Sequence, residues 1–334
     1  MGAVLTAPLR LVARAIDPPM RIWQRLAGQN GMALLFLAPN MLIFGIFVLV
    51  PLFINFLYST TGGTAFFLAD RPDVGLAHYQ RLLDCRDYTA PRSCRDDMFW
   101  IAVWNTARFV FFQVGLMTLA ALVTALILNR AIPGKGFWRA VFFFPVLLSP
   151  VVVGLIWQWI LQRQGLANLM MVEVGLSPIN WLTDRFWAFA AAVGVSVWAH
   201  MGFYTLILLA GLQAIPRDLY EAAEMDGTAP FRVFRRITLP LLMPNLLVVV
   251  VLALIRAVQI FDEAYVLTGG GPGTSTMFMT QYIYEIGFAN LLRNPGLAAA
   301  ASILMAGVLV VLTLIQLWLA RRSAGAGAGG GRRP

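Results

Sequence analysis

Long runs of apolar residues, separated by short polar segments, dominate the sequence. Six charge-free runs reach about 20 residues, the length that a helix needs to cross a bilayer. After trimming at the interfaces, they predict six transmembrane helices, at about 32–58, 101–128, 140–162, 187–212, 241–261 and 297–320. The predicted fold class is therefore all-α, a polytopic (multi-pass) membrane protein.

Composition agrees with this interpretation of the pattern. Of the 334 residues, 59% are hydrophobic and only 12% are charged, whereas about a quarter of the residues of soluble domains are charged. A globular domain this apolar would have too little polar surface to stay soluble. The first segment is too long for a signal-peptide core and lacks an A-x-A cleavage pattern, so we expect it to be retained.

The distribution of basic residues predicts the orientation. With the N-terminus inside, the cytoplasmic segments hold 15 Lys or Arg against five acids, and the outer segments hold eight basic and eleven acidic residues. Cytoplasmic loops carry the excess of Lys and Arg, so both termini are predicted to be cytoplasmic. The basic isoelectric point thus follows from membrane topology, and no nucleic-acid partner is needed to explain it.

The same pattern divides the chain into regions. An N-terminal cytoplasmic arm at 1–31 precedes a transmembrane domain at 32–320, and a Gly/Ala-rich cytoplasmic tail at 321–334 is predicted to be disordered. Within the domain we expect a large external loop at 59–100 and a polar cytoplasmic loop at 213–240.

Both cysteines, Cys85 and Cys94, lie in the predicted external loop. An oxidising compartment would allow them to form a disulfide, and Pro91 between them would favour a turn. Two free thiols are the alternative, because spacing alone does not establish disulfide geometry.

Several kinds of chemistry are missing from the sequence. No phosphate-binding loop of the G-x-x-x-x-G-K-[ST] type is present. The two histidines, His78 and His200, lie on opposite sides of two spans and both cysteines are external, so no His/Cys metal cluster is expected. No Ser/His/Asp arrangement suggests a membrane enzyme. No Asp or Glu lies inside a predicted span, which argues against an ion-coupled carrier. Energy for transport is therefore expected to come from a partner.

The polar loop contains the stretch EAAEMDGTAPFRVFRRITLP. Asp218 is predicted to cap a short helix over Leu219–Met225, Gly227 to end it, and Pro230 to prevent its continuation. The small residues Ala222 and Ala223 would allow close approach of another backbone, and Glu221 and Glu224 share one face. The alternative is a merely solvated loop.

The spacing in this stretch resembles a family signature. Glu221-Ala222-Ala223, then Gly227, then Ile237-x-Leu239-Pro240 match the EAA–G–I–LP signature of permease subunits in binding-protein-dependent ABC importers. The stretches DVGLAHYQRLL, FFFPVLLSPVVVGLIWQWI and FDEAYVLTGGGPGTST resemble the carbohydrate-uptake branch, the type of the maltose and glycerol-phosphate permeases. The cysteine-bearing stretch between Leu83 and Met98 departs from that branch and resembles a short insertion.

The resemblance implies an ABC importer permease fold in a bacterial cytoplasmic (inner) membrane. It implies a second permease subunit (a heterodimer), two cytoplasmic ATPase subunits that hold ATP and Mg, an extracytoplasmic solute-binding protein, and surrounding lipid. No cofactor is expected in this chain. A helix at 218–229 would dock on an ATPase, with the coupling residues Glu221, Ala222, Ala223, Asp226, Gly227, Ile237, Leu239 and Pro240.

Polar residues in the spans are candidates for a substrate pathway. They are His200, Tyr204, Asn245, Arg256, Gln259 and Asp262. Sugar sites combine aromatic rings with hydrogen-bonding groups, so a sugar or sugar-like solute is the first hypothesis. Glycerol phosphate or another polyol derivative is the alternative because Arg256 suits an anion, and a stand-alone carrier or channel belongs to a different class. The structural alternative is that His200 bonds a neighbouring helix and that Arg256 pairs with Asp262.

Overall fold

The computed structural model describes Gly28, Gly31 and residues 34–65, 67–290 and 293–328, with side chains up to Trp318 in the last range. The predicted N-terminal arm therefore lies almost entirely outside the described residues. The chain divides into two compact units, Met1–Tyr58 and Ser59–Pro334, and each is described by itself. The first contributes one apolar helix, and the second contains the remaining elements.

The described residues are mostly helical. In chain order the helices are α1 (Leu34–Ser59), α2 (Ala77–Leu83), α3 (Asp97–Asn129), α4 (Lys135–Phe143), α5 (Pro150–Leu161), α6 (Leu166–Glu173), α7 (Arg185–Gln213), α8 (Asp218–Met225), α9 (Pro230–Val258), α10 (Asp262–Thr268), α11 (Met279–Tyr284) and α12 (Pro295–Ala328). Short 3₁₀ turns lie at Leu68–Asp70, Pro91–Ser93 and Phe144–Leu147, and π-helical turns at Gly45–Leu49, Phe234–Thr238 and Glu285–Ala289.

Five helices in the described part of the chain, α1, α3, α7, α9 and α12, are long and apolar enough to cross a membrane. Two further apolar pieces, Lys135–Leu147 and Pro150–Glu173, meet at 101° and make a sixth crossing if the pair is counted as one span. The all-α, multi-pass prediction is confirmed, but the single straight helix predicted at 140–162 is wrong. Proline explains the difference, because Ser149 precedes Pro150 and is extended, as steric contact with a following proline ring requires.

The core of the helix bundle is formed by α3, α7 and α9, which pack against one another along their lengths. One buried cluster joins Met117, Ala121, Ala125 and Leu128 of α3 to the side chains of α7 and α9 that are nearest the predicted cytoplasmic side. A second cluster lies around Phe109 and Phe278 and includes residues of α5, α7 and α10. Small residues recur in both clusters, as expected where helices in a bilayer associate through close van der Waals packing.

Gly202 of α7 allows the backbone of this helix to lie close to the backbone at the end of α4. A Cβ atom at this position would lie 2.2 Å from the carbonyl oxygen of Phe142 and 2.9 Å from the Cα of Phe143. Both are backbone atoms at the end of α4, so neither moves as easily as a side chain would. Gly202 therefore fixes α7 against the bent pair.

Replacing Gly202 with Ala is expected to destabilise the protein by about 2 kcal/mol, because overpacking against a fixed backbone costs about 1–3 kcal/mol. The midpoint of thermal unfolding in detergent measures the effect. Gly194→Ala in the same helix is the matched control, since nothing lies within 4 Å of a Cβ there. It is expected to be neutral or stabilising, because Ala is the better helix former. Equal midpoints for the two variants would contradict the packing argument.

The external loop is ordered by a buried carboxylate. Asp96 accepts a hydrogen bond from the backbone of Phe99 at the start of α3 and another from the Tyr282 hydroxyl, at 3.0 Å. Its second oxygen lies 3.3 Å from Arg81 of α2. Burial raises the pKa of the Tyr282 phenol, and the neighbouring Asp96 charge raises it further. One side chain thus joins α2, α3 and α11.

The same loop contains a disulfide between Cys85 and Cys94. The 3₁₀ turn at Pro91–Ser93 lies between the two cysteines and reverses the chain, and the backbone N–H of Arg95 donates to Asp84. The disulfide lies beside the start of α3, in the stretch that differs from the carbohydrate-uptake permeases.

The last helix is longer than predicted. It continues to Ala328, eight residues into the segment that was expected to be a disordered tail. Its alanines explain the extension, because Ala has the highest intrinsic helix propensity. Residues 329–334 lie outside the described residues.

Candidate functional site

The first candidate site is the short helix α8 on the predicted cytoplasmic side. It covers Asp218–Met225, one residue more than predicted at its start. The expected cap is wrong: Asp218 is the first helical residue, and the capping position belongs to Arg217, whose side chain makes no capping bond. Asp218 and Glu221 still stabilise the first turn, because negative charge is favourable at the N-terminal end of the helix dipole.

Gly227 ends α8 in the way that the sequence predicts. Its φ of 65° is left-handed, a region that glycine enters without strain. The backbone N–H of Thr228 donates to Ala223 and that of Gly227 donates to Glu224, both at 2.9 Å. These two bonds form a Schellman motif, which satisfies carbonyl groups at the helix end.

One side of α8 faces the bundle and the other is free. Ala223 is buried, and the Tyr220 hydroxyl lies 3.1 Å from that of Thr238, in the π-helical turn of α9. On the other side, Glu221, Ala222, Glu224 and Asp226 are exposed, together with Met225, whose exposed fraction is 89%. This face of α8 is therefore acidic, with one apolar side chain exposed among the acids.

The segment after α8 differs from the prediction. The fifth membrane helix, expected from about residue 241, begins at Pro230, so the predicted loop at 213–240 ends eleven residues earlier. Pro230 stops α8 and also starts α9, because the fixed φ of proline suits the first helical position. Ile237, Leu239 and Pro240 are consequently helical. Leu239 packs against the core rather than on the free face of α8.

The second candidate site is a cavity of about 490 Å³ between α7, α9 and α10. Five of the six residues predicted for a substrate pathway line it: His200, Tyr204, Arg256, Gln259 and Asp262. Two further aromatic rings, Phe203 and Phe261, also line this cavity. The cavity therefore combines aromatic rings with both hydrogen-bond donors and hydrogen-bond acceptors.

A hydrogen bond between α7 and α9 lies at the centre of this cavity. The Nδ1 atom of His200 lies 2.9 Å from the backbone oxygen of Ser196, so Nδ1 carries the proton. The free Nε2 accepts a hydrogen bond from the Arg256 guanidinium. Arg256 thus bonds His200 across 56 positions of sequence, and no ion pair joins it to Asp262, a pairing that the sequence left open. The prediction that His200 bonds a neighbouring helix agrees with this geometry.

A break after α9 adds two carboxylates to the site. The helix ends at Val258, and a new helix, α10, begins at Asp262. Asp262 is exposed to the cavity, whereas Glu263 is buried, with Oε1 4.0 Å from the His200 Nδ1. Sequence reasoning placed Glu263 only at the outer end of a span and missed its role as a lining residue. Its position next to the candidate Asp262, at the start of a helix, is the feature of the sequence that could have identified it.

Asn245 does not belong to this cavity. It lies on α9 three turns below Arg256 and packs against α7, where a Cβ added to Gly211 would lie 2.5 Å from its Cγ. This residue therefore contributes to helix packing. Among the described residues, no group of three or more His, Cys, Asp or Glu side chains is arranged to hold a metal ion.

Comparison with known proteins identifies the family. A family model described as "Binding-protein-dependent transport system inner membrane component" matches residues 117–325, which include α8, α9 and the cavity. That range covers more than half of the chain.

Several curated relatives match over most of their own lengths. The trehalose/maltose transport system permease protein MalF of Thermococcus litoralis is 37% identical over 86% of this chain and 92% of its own. The sulfoquinovosyl glycerol transport system permease protein SmoG of Agrobacterium fabrum is 31% identical over 94% and 99%. The arabinooligosaccharides transport system permease protein AraP of Bacillus subtilis is 31% identical over 88% and 90%.

A solved structure shares the fold. It is a chain of a bacterial ABC transporter involved in the import of the acidic polysaccharide alginate, with a TM-score of 0.75 and 23% identity over 90% of this chain and 99% of that chain. The relatives are transport components rather than enzymes. This chain therefore belongs to the family of binding-protein-dependent transport system inner membrane components, as a permease subunit of the ABC importer type related to its carbohydrate-uptake branch.

Proposed function

We propose that this chain forms half of the membrane path of an ATP-driven importer for a sugar or sugar-like solute in a bacterial cytoplasmic membrane. The observation that carries the proposal is the cavity beside Arg256. Arg256 lies at the outer end of α9, and the other end of this helix begins next to α8. A solute site and a surface for an energy-supplying partner are thus joined by α9.

The chemistry of the cavity favours a neutral polyhydroxy compound. Arg256 and Gln259 donate hydrogen bonds, Asp262 accepts them, and Phe203, Tyr204 and Phe261 offer ring faces. Such a mixture suits hydroxyl groups, which both donate and accept, and sugar C–H faces, which pack against rings. The relatives named above for trehalose/maltose and arabinooligosaccharides support the same class of solute.

An anionic polyol derivative, such as glycerol phosphate, is the second candidate because Arg256 is present. Two observations weigh against it: the carboxylates of Asp262 and Glu263 lie in the same cavity, and the guanidinium already bonds His200. An anion would have to approach both acids. The named specificity of one relative for sulfoquinovosyl glycerol keeps this candidate in the test below.

The exposed face of α8 supports a partner on the cytoplasmic side. Its acids, Glu221, Glu224 and Asp226, make no ion pair within the described part of the chain, and Met225 is open to solvent. We assign this face to one of two ATPase subunits, which would bind ATP and Mg, since this chain has no phosphate-binding loop. A second, related permease and an extracytoplasmic solute-binding protein would complete the importer.

Reconstitution tests the proposal. The chain is co-expressed with a second permease, an ATPase and a binding protein from the same organism, and the complex is placed in proteoliposomes. We expect ATP-dependent uptake of the sugar that stabilises the binding protein in a thermal-shift screen of sugars, polyols and their phosphates. Uptake by this chain alone, without ATP, would instead indicate a secondary carrier or channel, and a response only to phosphorylated solutes would favour the second candidate.

A further inference from the structure

A second polar cavity lies near the outer end of α3, away from the cavity at Arg256. It has a volume of about 800 Å³, and three arginines line it: Arg92 in the disulfide loop, Arg108 on α3 and Arg185 at the start of α7. The rings of Phe112, Phe186 and Phe189 form its apolar part. A smaller cavity of about 280 Å³ adjoins it, between Arg108 and Trp104.

The three arginines differ from the other arginines of this region in their pairing. Among the described residues none of them makes an ion pair, and no Asp or Glu lines the cavity. Other arginines of the same region are paired: Arg81 with Asp96 and Arg95 with Asp84. Three like charges around one concave surface repel each other, so the arrangement is most stable with a bound anion.

The depth of the cavity relative to the bilayer indicates which class of anion would fit it. Arg108 lies 21 residues before the cytoplasmic end of α3 at Asn129, or about 32 Å along the helix at 1.5 Å per residue. The hydrocarbon core of a bilayer is about 30 Å thick, so Arg108 lies at its outer boundary, at the level of the lipid phosphates. One turn deeper than Arg108, Phe112 is exposed, and Phe186, next to Arg185 at the start of α7, has an exposed fraction of 69%. The Phe112 ring thus faces the acyl region beneath a cationic rim, and the Phe186 ring lies at the level of this rim.

We propose that this cavity binds the headgroup of an anionic phospholipid of the outer leaflet, with the phosphate among Arg92, Arg108 and Arg185. An acyl chain lies against Phe112, which explains why this ring is exposed at membrane depth, and Phe186 covers the glycerol region beside the phosphate. A soluble anion uses the arginines alone and leaves the rings uncovered. Because the disulfide loop supplies Arg92, the lipid also fixes this loop against α3 and α7.

Native mass spectrometry of the delipidated full chain tests this site. Phosphatidylglycerol and phosphatidylcholine are titrated separately in detergent, and bound lipid is counted. We expect phosphatidylglycerol to bind about tenfold more tightly, and each of Arg92→Gln, Arg108→Gln and Arg185→Gln to weaken it about fivefold, since a basic residue near the membrane surface contributes about 1 kcal/mol. Raising the salt concentration reduces the preference, because these charges are screened.

Matched variants separate the site from general charge. Arg86→Gln removes a charge from the same loop but outside the cavity and leaves lipid binding unchanged, and Arg108→Lys retains most of it. Equal affinity for the two lipids, or equal loss in the Arg86 and Arg108 variants, would overturn the proposal. It is also overturned if inorganic phosphate protects the protein against heat as well as phosphatidylglycerol does, or if the arginine variants lose only a second permease subunit.

Discussion

Glu221→Lys is expected to abolish ATP-dependent uptake by the reconstituted importer while the chain still inserts into the membrane. Glu221 is exposed on the free face of α8, so the substitution leaves the packing of the bundle intact. It reverses the charge that the assigned ATPase surface would meet, and reversed charges at a docking surface cost several kcal/mol. We therefore expect ATPase association to weaken by at least about tenfold, measured by co-purification and by solute-stimulated ATP hydrolysis.

A pair of glycines supplies the control for this prediction. Gly227 ends α8 and Gly175 ends α6, and both residues are left-handed and complete a Schellman motif. Substituting either with Ala introduces the same backbone strain of about 1–2 kcal/mol. Only the Gly227 variant alters the surface assigned to the ATPase, so only it should lose uptake. If Glu221→Lys and Gly227→Ala both transport normally, α8 does not dock on the ATPase.

Arg256→Gln is expected to have the largest effect on the solute cavity. The substitution removes the donor to His200 and, among the described residues, the one guanidinium that lines this cavity. Loss of a hydrogen bond to a charged group costs about 1.5–3 kcal/mol, which corresponds to about a 10- to 100-fold lower uptake rate at low solute concentration. Uptake rates measured over a range of concentrations of loaded binding protein, from well below saturation upward, give this value.

Two further variants distinguish a solute contact from a packing effect. Arg256→Lys retains the charge and is expected to recover part of the uptake. Arg163→Gln removes an exposed arginine that bonds Asn180 far from this cavity, and it should transport like the parent chain. Unchanged uptake in Arg256→Gln would exclude the cavity as the solute path, whereas lost thermal stability with normal uptake would assign Arg256 to packing.

Local signals account for what the sequence predicted well. Hydrophobic length predicted the helices, since each long span needs only its own residues, and the turn chemistry of Gly227 predicted the end of α8. The errors arose where neighbouring signals compete. Pro230 was read as a stop although it also starts α9, and Ser149-Pro150 was overlooked inside an apolar run.

The candidate site could be predicted only in part, because it depends on contacts between distant segments. The sequence selected His200 and Arg256 by polarity, but their bond joins α7 and α9 and has no local signature. Asn245 has the same polarity on the same helix and faces Gly211 instead. Glu263 was placed at the outer end of the fifth span and was not named as a candidate, because the break before α10, which directs it back toward His200, is a property of the folded chain.

The course of α9 has a mechanical consequence. Pro244 lies inside this helix, and proline removes a backbone hydrogen bond, so α9 can bend there. Arg256 lies twelve residues, or about 18 Å, beyond Pro244, and a bend of about 10° would therefore displace it by about 3 Å. That displacement is the length of a hydrogen bond. A small tilt at the cytoplasmic end would thus release the guanidinium from His200 and make it available to a solute.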